Sequence, residues 1–153
     1  MSQSPSTPSW SDRYDPKIAE AMIRTNETVG GLPKFLGAKL LEYGPGRLVA
    51  TLDVRDELIT PMGALHGGVM AGFVDHVLGC VLYPLMARGQ WAATTEFKLN
   101  YLAAVKTGTL RAESTVVSLG KRAAVVRVDV TSDGRLVCAA QGTLLISDPP
   151  AAR

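Results

Sequence analysis

Cysteine and histidine are scarce in this chain of 153 residues, which has two of each. Cys80 and Cys138 both lie inside apolar runs, and neither has the CxxC or Cys/His spacing of a zinc site. A metal centre would therefore depend mainly on carboxylates, and two cysteines do not form a disulfide framework. The pattern predicts two buried structural thiols and no metal site.

An excess of charge of one sign is also missing. The net charge is +2, and the only basic cluster is Lys121-Arg122. Two adjacent cations do not form the basic stripe that follows a phosphate backbone, so the composition argues against a nucleic-acid partner. Hydrophobic residues make up 46% of the chain and charged residues 20%, which allows one packed core in one domain.

The first residues lack the features of a targeting segment. Residues 1–11 are rich in Ser and Pro and have neither the basic start nor the apolar centre of a signal peptide. We expect a disordered lead over residues 1–14, a single domain over 15–148 and a short tail over 149–153. The expected location is the cytoplasm.

One apolar stretch, residues 69–86, has the length of a membrane span. Asp75 and His76 lie at its centre and Pro84 lies near its end, and a central charge in lipid costs on the order of several kcal/mol. The alternating strands that follow also need a surface to pack against. The stretch is therefore predicted to be a buried helix with no membrane partner.

The predicted elements are a helix, two strands, a long apolar helix and four strands. Asp15 and Pro16 are typical of a helix N-cap and a first helical position. An irregular link is predicted from Pro33 and a loop over 55–65. The strands are predicted over 38–43, 47–54, 91–103, 108–119, 122–132 and 136–147, and the long helix from His66 to about Met86.

The last four predicted strands have short connections, so we expect them to be antiparallel neighbours. Alternation is cleanest over 122–132, where one face carries Ala124, Val126, Val128 and Val130. A sheet of this size must bury one face, and only the helix starting at His66 is apolar enough all round to bury it. The predicted fold class is α+β, an antiparallel sheet wrapped around a long central helix.

Asp75 is the first candidate for chemistry. It lies in the most apolar predicted element, and an unpaired buried carboxylate is costly. Such a group has either a partner or a function. Two structural alternatives stay open, in which Asp75 is exposed on one narrow face with His76 or is paired with an arginine.

The second candidate is His66-Gly67-Gly68, at the start of the same helix. Two glycines allow close backbone approach, and N–H groups at the positive end of a helix can hold a phosphate or polarise a carbonyl. A helix that simply begins with a flexible Gly-Gly pair, with His66 near its N-cap, explains the motif equally well.

The spacing of the two candidates links them. His66 and Asp75 are nine residues apart, which is about 13 Å along a helix and places them on opposite faces. One chain therefore cannot bring both to one site. A two-fold dimer can, where the helix end of one subunit meets the middle of its partner's helix.

Together these features resemble the hotdog thioesterases of the phenylacetate-pathway type, over about residues 38–146. The resemblance implies the hotdog fold and hydrolysis of an acyl-CoA thioester to a free acid and coenzyme A. It implies a homodimer or a dimer of dimers and no cofactor. It rests on the element order, on His66-Gly67-Gly68 followed by Asp75, and on Thr95-Glu-Phe-Lys-Leu-Asn-Tyr-Leu, Ser118-Leu-Gly-Lys-Arg-Ala-Ala-Val and Gly134-Arg-Leu-Val.

The resemblance also implies roles for single residues. Asp75 matches the catalytic carboxylate, which attacks the thioester carbonyl or activates a water. The Gly67 N–H matches the donor that polarises this carbonyl, and Gly68 belongs to the same thioester-binding turn. His66 matches a residue that orients the turn and contacts the thioester region. Gly120-Lys121-Arg122 matches a turn that coenzyme A crosses, although solvated strand-end charges explain it as well.

Two positions depart from the family pattern. Thr60 stands where many members have Asn or Gln six residues before the histidine, and Gly79 stands where many have Ser or Thr four residues after the carboxylate. Either change can alter water positioning, widen the acyl pocket or weaken catalysis. His76 matches no catalytic position, and Asn100 is interpreted as a structural strand residue.

Two alternative functions are left open. A hotdog hydratase usually pairs an Asp with a His about five residues later, whereas Asp75 and His76 are adjacent and no His follows. A non-catalytic acyl-CoA-binding or regulatory module on the same fold is compatible with Thr60 and Gly79. The sequence leaves open the acyl group (aryl, medium or long chain) and the choice between nucleophile and general base for Asp75.

Overall fold

The computed structural model describes residues 10–149. In this part of the chain a six-stranded antiparallel sheet packs around one long helix, which is the hotdog fold that the sequence predicts. The helices are Pro16–Thr25 (α1), Leu32–Leu36 (α2) and Gly67–Cys80 (α3), and the strands are Lys39–Gly44 (β1), Arg47–Asp53 (β2), Trp91–Tyr101 (β3), Thr109–Leu119 (β4), Ala123–Ser132 (β5) and Arg135–Ser147 (β6).

Helix α1 begins where the sequence predicts. The Asp15 carboxylate accepts the Lys17 N–H at 2.9 Å, and Pro16 occupies the first position, where no N–H is needed. Ala19 is buried on the face that packs against β1. The cap and the proline are both local features, so they predict the start of the helix from the sequence alone.

Helix α3 fills the space enclosed by the sheet. Its Phe73, Val74 and Val77 side chains are fully buried, and the helix contacts β2, β3, β4, β5 and β6. Each such side chain contributes roughly 1.5–3 kcal/mol by leaving water. The alternating residues predicted for β5 form part of the same core, because Val126 and Val128 are also fully buried.

Helix α3 ends six residues earlier than the sequence predicts. The expected end was about Met86, whereas α3 ends at Cys80 and a 3-10 turn follows over Tyr83–Leu85. Pro84 has no backbone N–H and disfavours helical backbone at the residue before it. The proline therefore ends the regular helix early.

The stretch Gly67–Leu85 matches a membrane span by length and composition alone. Of its most apolar part, 56% is buried inside the protein. The core helix of a sheet passes the same test of length and composition, and this stretch contains that helix. The apolar run is therefore accounted for by packing against the sheet.

The order of the strands corrects one prediction. The sheet runs β1-β2-β4-β5-β6-β3, so β3 pairs with β6 and does not neighbour β4. The connection over residues 102–108 must cross three strand spacings, about 14 Å. Seven residues can reach about 23 Å when extended, so a short connection does not require neighbouring strands.

Helix α2 lies where the sequence predicts only an irregular link after Pro33. Gly31 and Gly37 flank it, both with φ of 78°, a conformation that glycine adopts without strain. Gly37 ends the helix by donating its N–H to the Lys34 and Pro33 carbonyls. Five residues are too few to show a helical apolar period, which is why the pattern does not reveal this helix.

The folded part begins before residue 15, the predicted start of the domain. The Trp10 indole packs on Gly46 and donates from Nε1 to the Val116 carbonyl at 3.3 Å. Residues Ser11–Arg13 form a 3-10 turn. Residues 1–9 of the predicted lead and 150–153 of the predicted tail lie outside the described residues.

Candidate active site

The His66 side chain caps the N-terminus of α3. Its Nδ1 accepts the Gly68 N–H at 2.9 Å. The backbone N–H of His66 donates to the Leu58 carbonyl at 2.9 Å. Because Nδ1 is the acceptor, the neutral ring carries its proton on Nε2. His66 therefore lies at the N-cap itself, one of the placements that the sequence left open.

Of the two glycine N–H groups in this turn, Gly67 has the available one. The Gly68 N–H is taken by His66, whereas among residues 10–149 no acceptor receives the Gly67 N–H. The Gly67 carbonyl accepts the Tyr101 hydroxyl at 2.9 Å. The Gly67 N–H is thus an unsatisfied donor at the positive end of the α3 dipole.

A largely apolar cleft of about 540 Å³ opens beside this donor. It is lined by Gly67, Gly68 and Met70 of α3 and by Tyr101 and residues 102–105, which follow β3. The volume lies within the range of small-molecule sites. An oriented N–H at an apolar wall can polarise a carbonyl oxygen strongly, because little water competes for it.

Asp75 lies on the face of α3 that is turned away from the sheet. Its side chain is exposed, and it forms no hydrogen bond or ion pair with any other of residues 10–149. Gly68, Gly72 and Gly79 share this face at helical spacing, so α3 itself places no side chain at these positions on either side of the carboxylate. Among residues 10–149 of one chain, Asp75 is therefore exposed on a narrow face of the helix and is not paired with an arginine.

A single chain does not bring Asp75 to the cleft. The cleft lies at the first turn of α3, and Asp75 is not among the residues that line it. The position of Asp75 in the middle of a continuous helix keeps it about 13 Å from His66 along the axis. Within one chain the two candidates stay separate, as their spacing predicts.

Helix α2 covers part of the same face at Gly72. A Cβ atom on Gly72 would lie 3.3 Å from Cδ1 of Leu36 and 3.5 Å from Cδ2 of Leu32. Phe35, between them, is 62% exposed. Apolar side chains therefore lie beside the helix about one turn before Asp75. The sequence pattern does not reveal them, because it does not predict α2.

The two positions that depart from the family pattern have different surroundings. Thr60 lies in a tight turn, where its N–H donates to the Ala64 carbonyl at 2.7 Å and its carbonyl accepts the Gly63 N–H at 2.8 Å. Gly79 lies near the end of α3, where an added Cβ would meet no atom within 4 Å. Gly79 thus leaves open space on the Asp75 face.

The Gly120-Lys121-Arg122 turn lies at the far end of the sheet from Gly67. It joins β4 to β5 and is exposed. Ala123, which follows the turn, lies level with the start of β3 across the intervening strand β6. Tyr101, which contacts Gly67, lies at the end of β3, level with the other end of β5. The separation along the strands is roughly 25 Å, so one chain does not combine this turn with the cleft.

The model of the thioesterase superfamily matches residues 62–139 of the chain, about half of its length. The match begins just before the His66 turn and includes Asp75 and Tyr101. The chain belongs to the thioesterase superfamily. The resemblance seen in the sequence is therefore confirmed at the level of the family.

This thioesterase is similar to the 1,4-dihydroxy-2-naphthoyl-CoA hydrolase of Listeria monocytogenes, 24% identical over 117 residues that cover 76% of this chain and 95% of that protein. It is 28% identical over 104 residues to acyl-coenzyme A thioesterase 13 of Homo sapiens, covering 67% and 74%. The crystal structure of a hypothetical thioesterase with coenzyme A from Streptococcus pneumoniae superposes with a TM-score of 0.68 at 28% identity, covering 73% of this chain and 87% of that one. The protein is a thioester hydrolase.

In this thioesterase Cys80 is not a candidate nucleophile. Its Sγ lies 3.6 Å from both ring nitrogens of His76. Burial raises the pKa of Cys80 to about 12. Burial also lowers the pKa of His76, although the negative charge of Asp75 acts to raise it. The sulfur therefore stays a thiol at neutral pH. Cys80 and Cys138 are both buried free thiols, as the sequence predicts.

Tyr101 is the site residue that the sequence does not single out. It lies inside a segment that resembles the family, but nothing in its neighbourhood assigns it a partner. Its contact with Gly67 joins positions 34 residues apart. The contact becomes visible only when the end of β3 is placed against the start of α3.

Proposed function

We propose that this thioesterase hydrolyses an acyl-CoA thioester to a free carboxylic acid and coenzyme A. The observation that carries the proposal is the unsatisfied Gly67 N–H beside an apolar cleft of about 540 Å³. A donor in that place can bind the thioester oxygen and stabilise the oxyanion that forms during attack. The named activities of the human and Listeria relatives support the same substrate class.

In the proposed reaction Asp75 is the nucleophile or the general base. As nucleophile it forms an anhydride with the acyl group, which water then hydrolyses. As base it takes a proton from the attacking water. In both routes the C–S bond breaks and the sulfur leaves as the thiolate of coenzyme A, which then takes up the proton released by the water. A thioester is already activated, so no metal or organic cofactor is proposed.

We further propose that each active site is shared between two chains of a homodimer, with a dimer of dimers as the larger assembly. Among the described strands β3 lies at an edge of the sheet, and Trp91 and Tyr101 at its two ends are exposed. Two such edges can pair antiparallel. This pairing would direct the Gly67 end of one α3 toward Asp75 of the partner.

Antiparallel pairing would also bring opposite ends of the two sheets together. The basic turn lies at the start of β3 and Gly67 lies at its end, so the turn of one chain would approach the Gly67 site of the other. We propose that Lys121 and Arg122 there contact the phosphates of coenzyme A. The same two cations are too far from Gly67 within one chain to do so.

Asp75→Asn tests the proposed mechanism, because it keeps size and shape but removes the charge and the proton acceptor. We expect turnover on the best acyl-CoA from a survey of chain lengths to fall about 100-fold or more, as for loss of a general base. The melting temperature should stay near that of the wild type, since the carboxylate has no hydrogen bond or ion pair among residues 10–149. The measurement is steady-state hydrolysis beside a melting curve.

Asp12→Asn is the matched control, because it removes an exposed carboxylate outside α3. Its turnover should stay within about twofold of the wild type. A well-folded Asp75→Asn enzyme with near-normal turnover would end the mechanism proposed for Asp75.

A further inference from the structure

Two side chains hold the same peptide group at the start of α3. The carbonyl of the Gly67–Gly68 peptide accepts the Tyr101 hydroxyl at 2.9 Å, and the N–H of that peptide donates to Nδ1 of His66, also at 2.9 Å. A peptide group is planar, so contacts at both of its polar ends leave it little freedom to rotate. Tyr101 and His66 therefore fix the peptide that follows the Cα atom of Gly67.

The contact of Tyr101 with Gly67 is close and is not required by the helix. A Cβ on Gly67 would lie 3.1 Å from Oη and 3.2 Å from Cζ of Tyr101, so the phenol lies directly against the backbone. A carbonyl in the first turn of a helix already accepts the N–H four residues later. The tyrosine is also 58% exposed, so its hydroxyl does not need a protein partner.

We propose that Tyr101 is a positioning residue that fixes the direction of the Gly67 N–H for thioester hydrolysis. The inference rests on the proposed role of that N–H. The Gly67 N–H lies in the plane of the preceding peptide, and φ and ψ of Gly67 join that plane to the following one. Because glycine rotates easily at both angles, holding the following peptide limits how far the N–H can turn. The preceding carbonyl, that of His66, accepts two N–H groups of the first turn at 2.9 and 3.3 Å. The following peptide depends on Tyr101 and on the same histidine.

Tyr101→Phe tests this role, because it removes one hydroxyl and keeps the ring. We expect kcat to fall about 10-fold, less than for complete loss of an oxyanion donor, because the Gly67 N–H is still present but is less well directed. KM should change by less than about twofold, since the donor acts mainly on the transition state. The assembly state, measured by size-exclusion chromatography, should match that of the wild type.

Tyr43→Phe is the matched control. The Tyr43 hydroxyl donates to the Cys80 carbonyl at 3.1 Å, so it makes the same kind of bond to α3 at the opposite end of the helix. This variant should lose stability and keep its kcat within about twofold of the wild type. If Tyr101→Phe behaves like Tyr43→Phe, the bond only stabilises α3 and the inference is wrong.

Amide hydrogen exchange gives a second readout that needs no substrate. Tyr101→Phe should raise the exchange rate of the Gly68 N–H about fivefold or more, while Tyr43→Phe should leave it unchanged. An unchanged Gly68 rate in Tyr101→Phe would overturn the inference by itself. Failure of the proposed function is distinguishable, because it would appear as an active Asp75→Asn enzyme whatever the Gly68 rate.

Discussion

One imidazole lone pair decides how the first turn of α3 is arranged. Nδ1 of His66 accepts the Gly68 N–H, which leaves Nε2–H as the free donor of the neutral ring. The same lone pair thus takes up the Gly68 N–H, while the Gly67 N–H has no acceptor among residues 10–149.

The partly buried His76 side chain should make the free energy of unfolding depend on pH. Burial lowers its pKa, and the charge of Asp75 opposes this. The folded protein therefore binds a proton at His76 more weakly than the unfolded chain, whose histidine pKa is about 6.5. The contribution of His76 to the free energy of unfolding is present above about pH 6.5 and is lost as the pH falls below it. His76→Gln should lose less stability than the wild type between about pH 7 and 5, measured by urea unfolding at each pH.

Asp75→Asn supplies the opposite test for His76. Without the carboxylate the pKa of His76 should fall further, so this variant should lose more stability on acidification than the wild type. Equal pH dependence in the wild type and His76→Gln would show that this ring does not carry the effect.

At the scale of residues, local features could be predicted from the sequence and exposure could not. The His66-Gly67-Gly68 turn lies at the helix start, as its glycines and position indicate. For Asp75 the sequence left exposure on a narrow face and pairing with an arginine open, and the structure has it exposed. A hydrophobicity pattern treats Gly72 and Gly79 as apolar residues, but glycine has no side chain that could cover the neighbouring carboxylate.

Among the elements, α2 depends on one arginine for its position. Arg55, which follows β2, donates from Nη1 to the Leu36 carbonyl at 2.7 Å and from Nη2 to the Phe35 carbonyl, and it lies 5.7 Å from the centroid of the Phe35 ring. A cation at the last carbonyls of a helix satisfies groups that the helix leaves unpaired. Arg55→Ala should lower the free energy of unfolding by about 1–2 kcal/mol, measured by chemical denaturation.

Arg55→Lys is the control for this prediction. It keeps the charge but lacks the fork that reaches two carbonyls, so it should recover less than about half of the lost stability. An Arg55→Ala protein as stable as the wild type would mean that α2 is held by its Leu36 and Leu32 contacts alone.

Element types were predictable because their signals are local, whereas the order of strands was not. The cap at Asp15 and the alternation in β5 each act over a few residues, and both appear in the structure as predicted. The placement of β3 beside β6 depends on how many strand positions residues 102–108 cross between β3 and β4. No pattern within the connection itself records that distance.

In the whole molecule, a site shared between chains predicts that two inactive variants restore each other. Asp75→Asn keeps the Gly67 turn, while Gly67→Ala keeps Asp75 but brings a Cβ to 3.1 Å from the Tyr101 hydroxyl. After random mixing about half of the proposed dimers are hybrids, and one of the two sites in each hybrid has both groups intact. We expect about a quarter of wild-type turnover from co-expressed variants that are each nearly inactive alone.

Native mass spectrometry would confirm that hybrid dimers have formed before turnover is measured. Each variant co-expressed with itself should stay inactive. Hybrids that form in the expected proportion and show no recovered turnover would place each complete site within one chain.

Helix α3 separates the side chains of the core from the candidate catalytic residue by face. The side chains that hold the sheet, such as Phe73 and Val77, lie on one side, and Asp75 lies among glycines on the other. A new side chain at position 79 meets open space, so this position can change without altering the residues that face the sheet. With the site proposed above, descendants of this chain could diverge in the acyl groups they accept while they inherit the same core, because selection on substrate range and selection on foldability would then act on different residues of one helix.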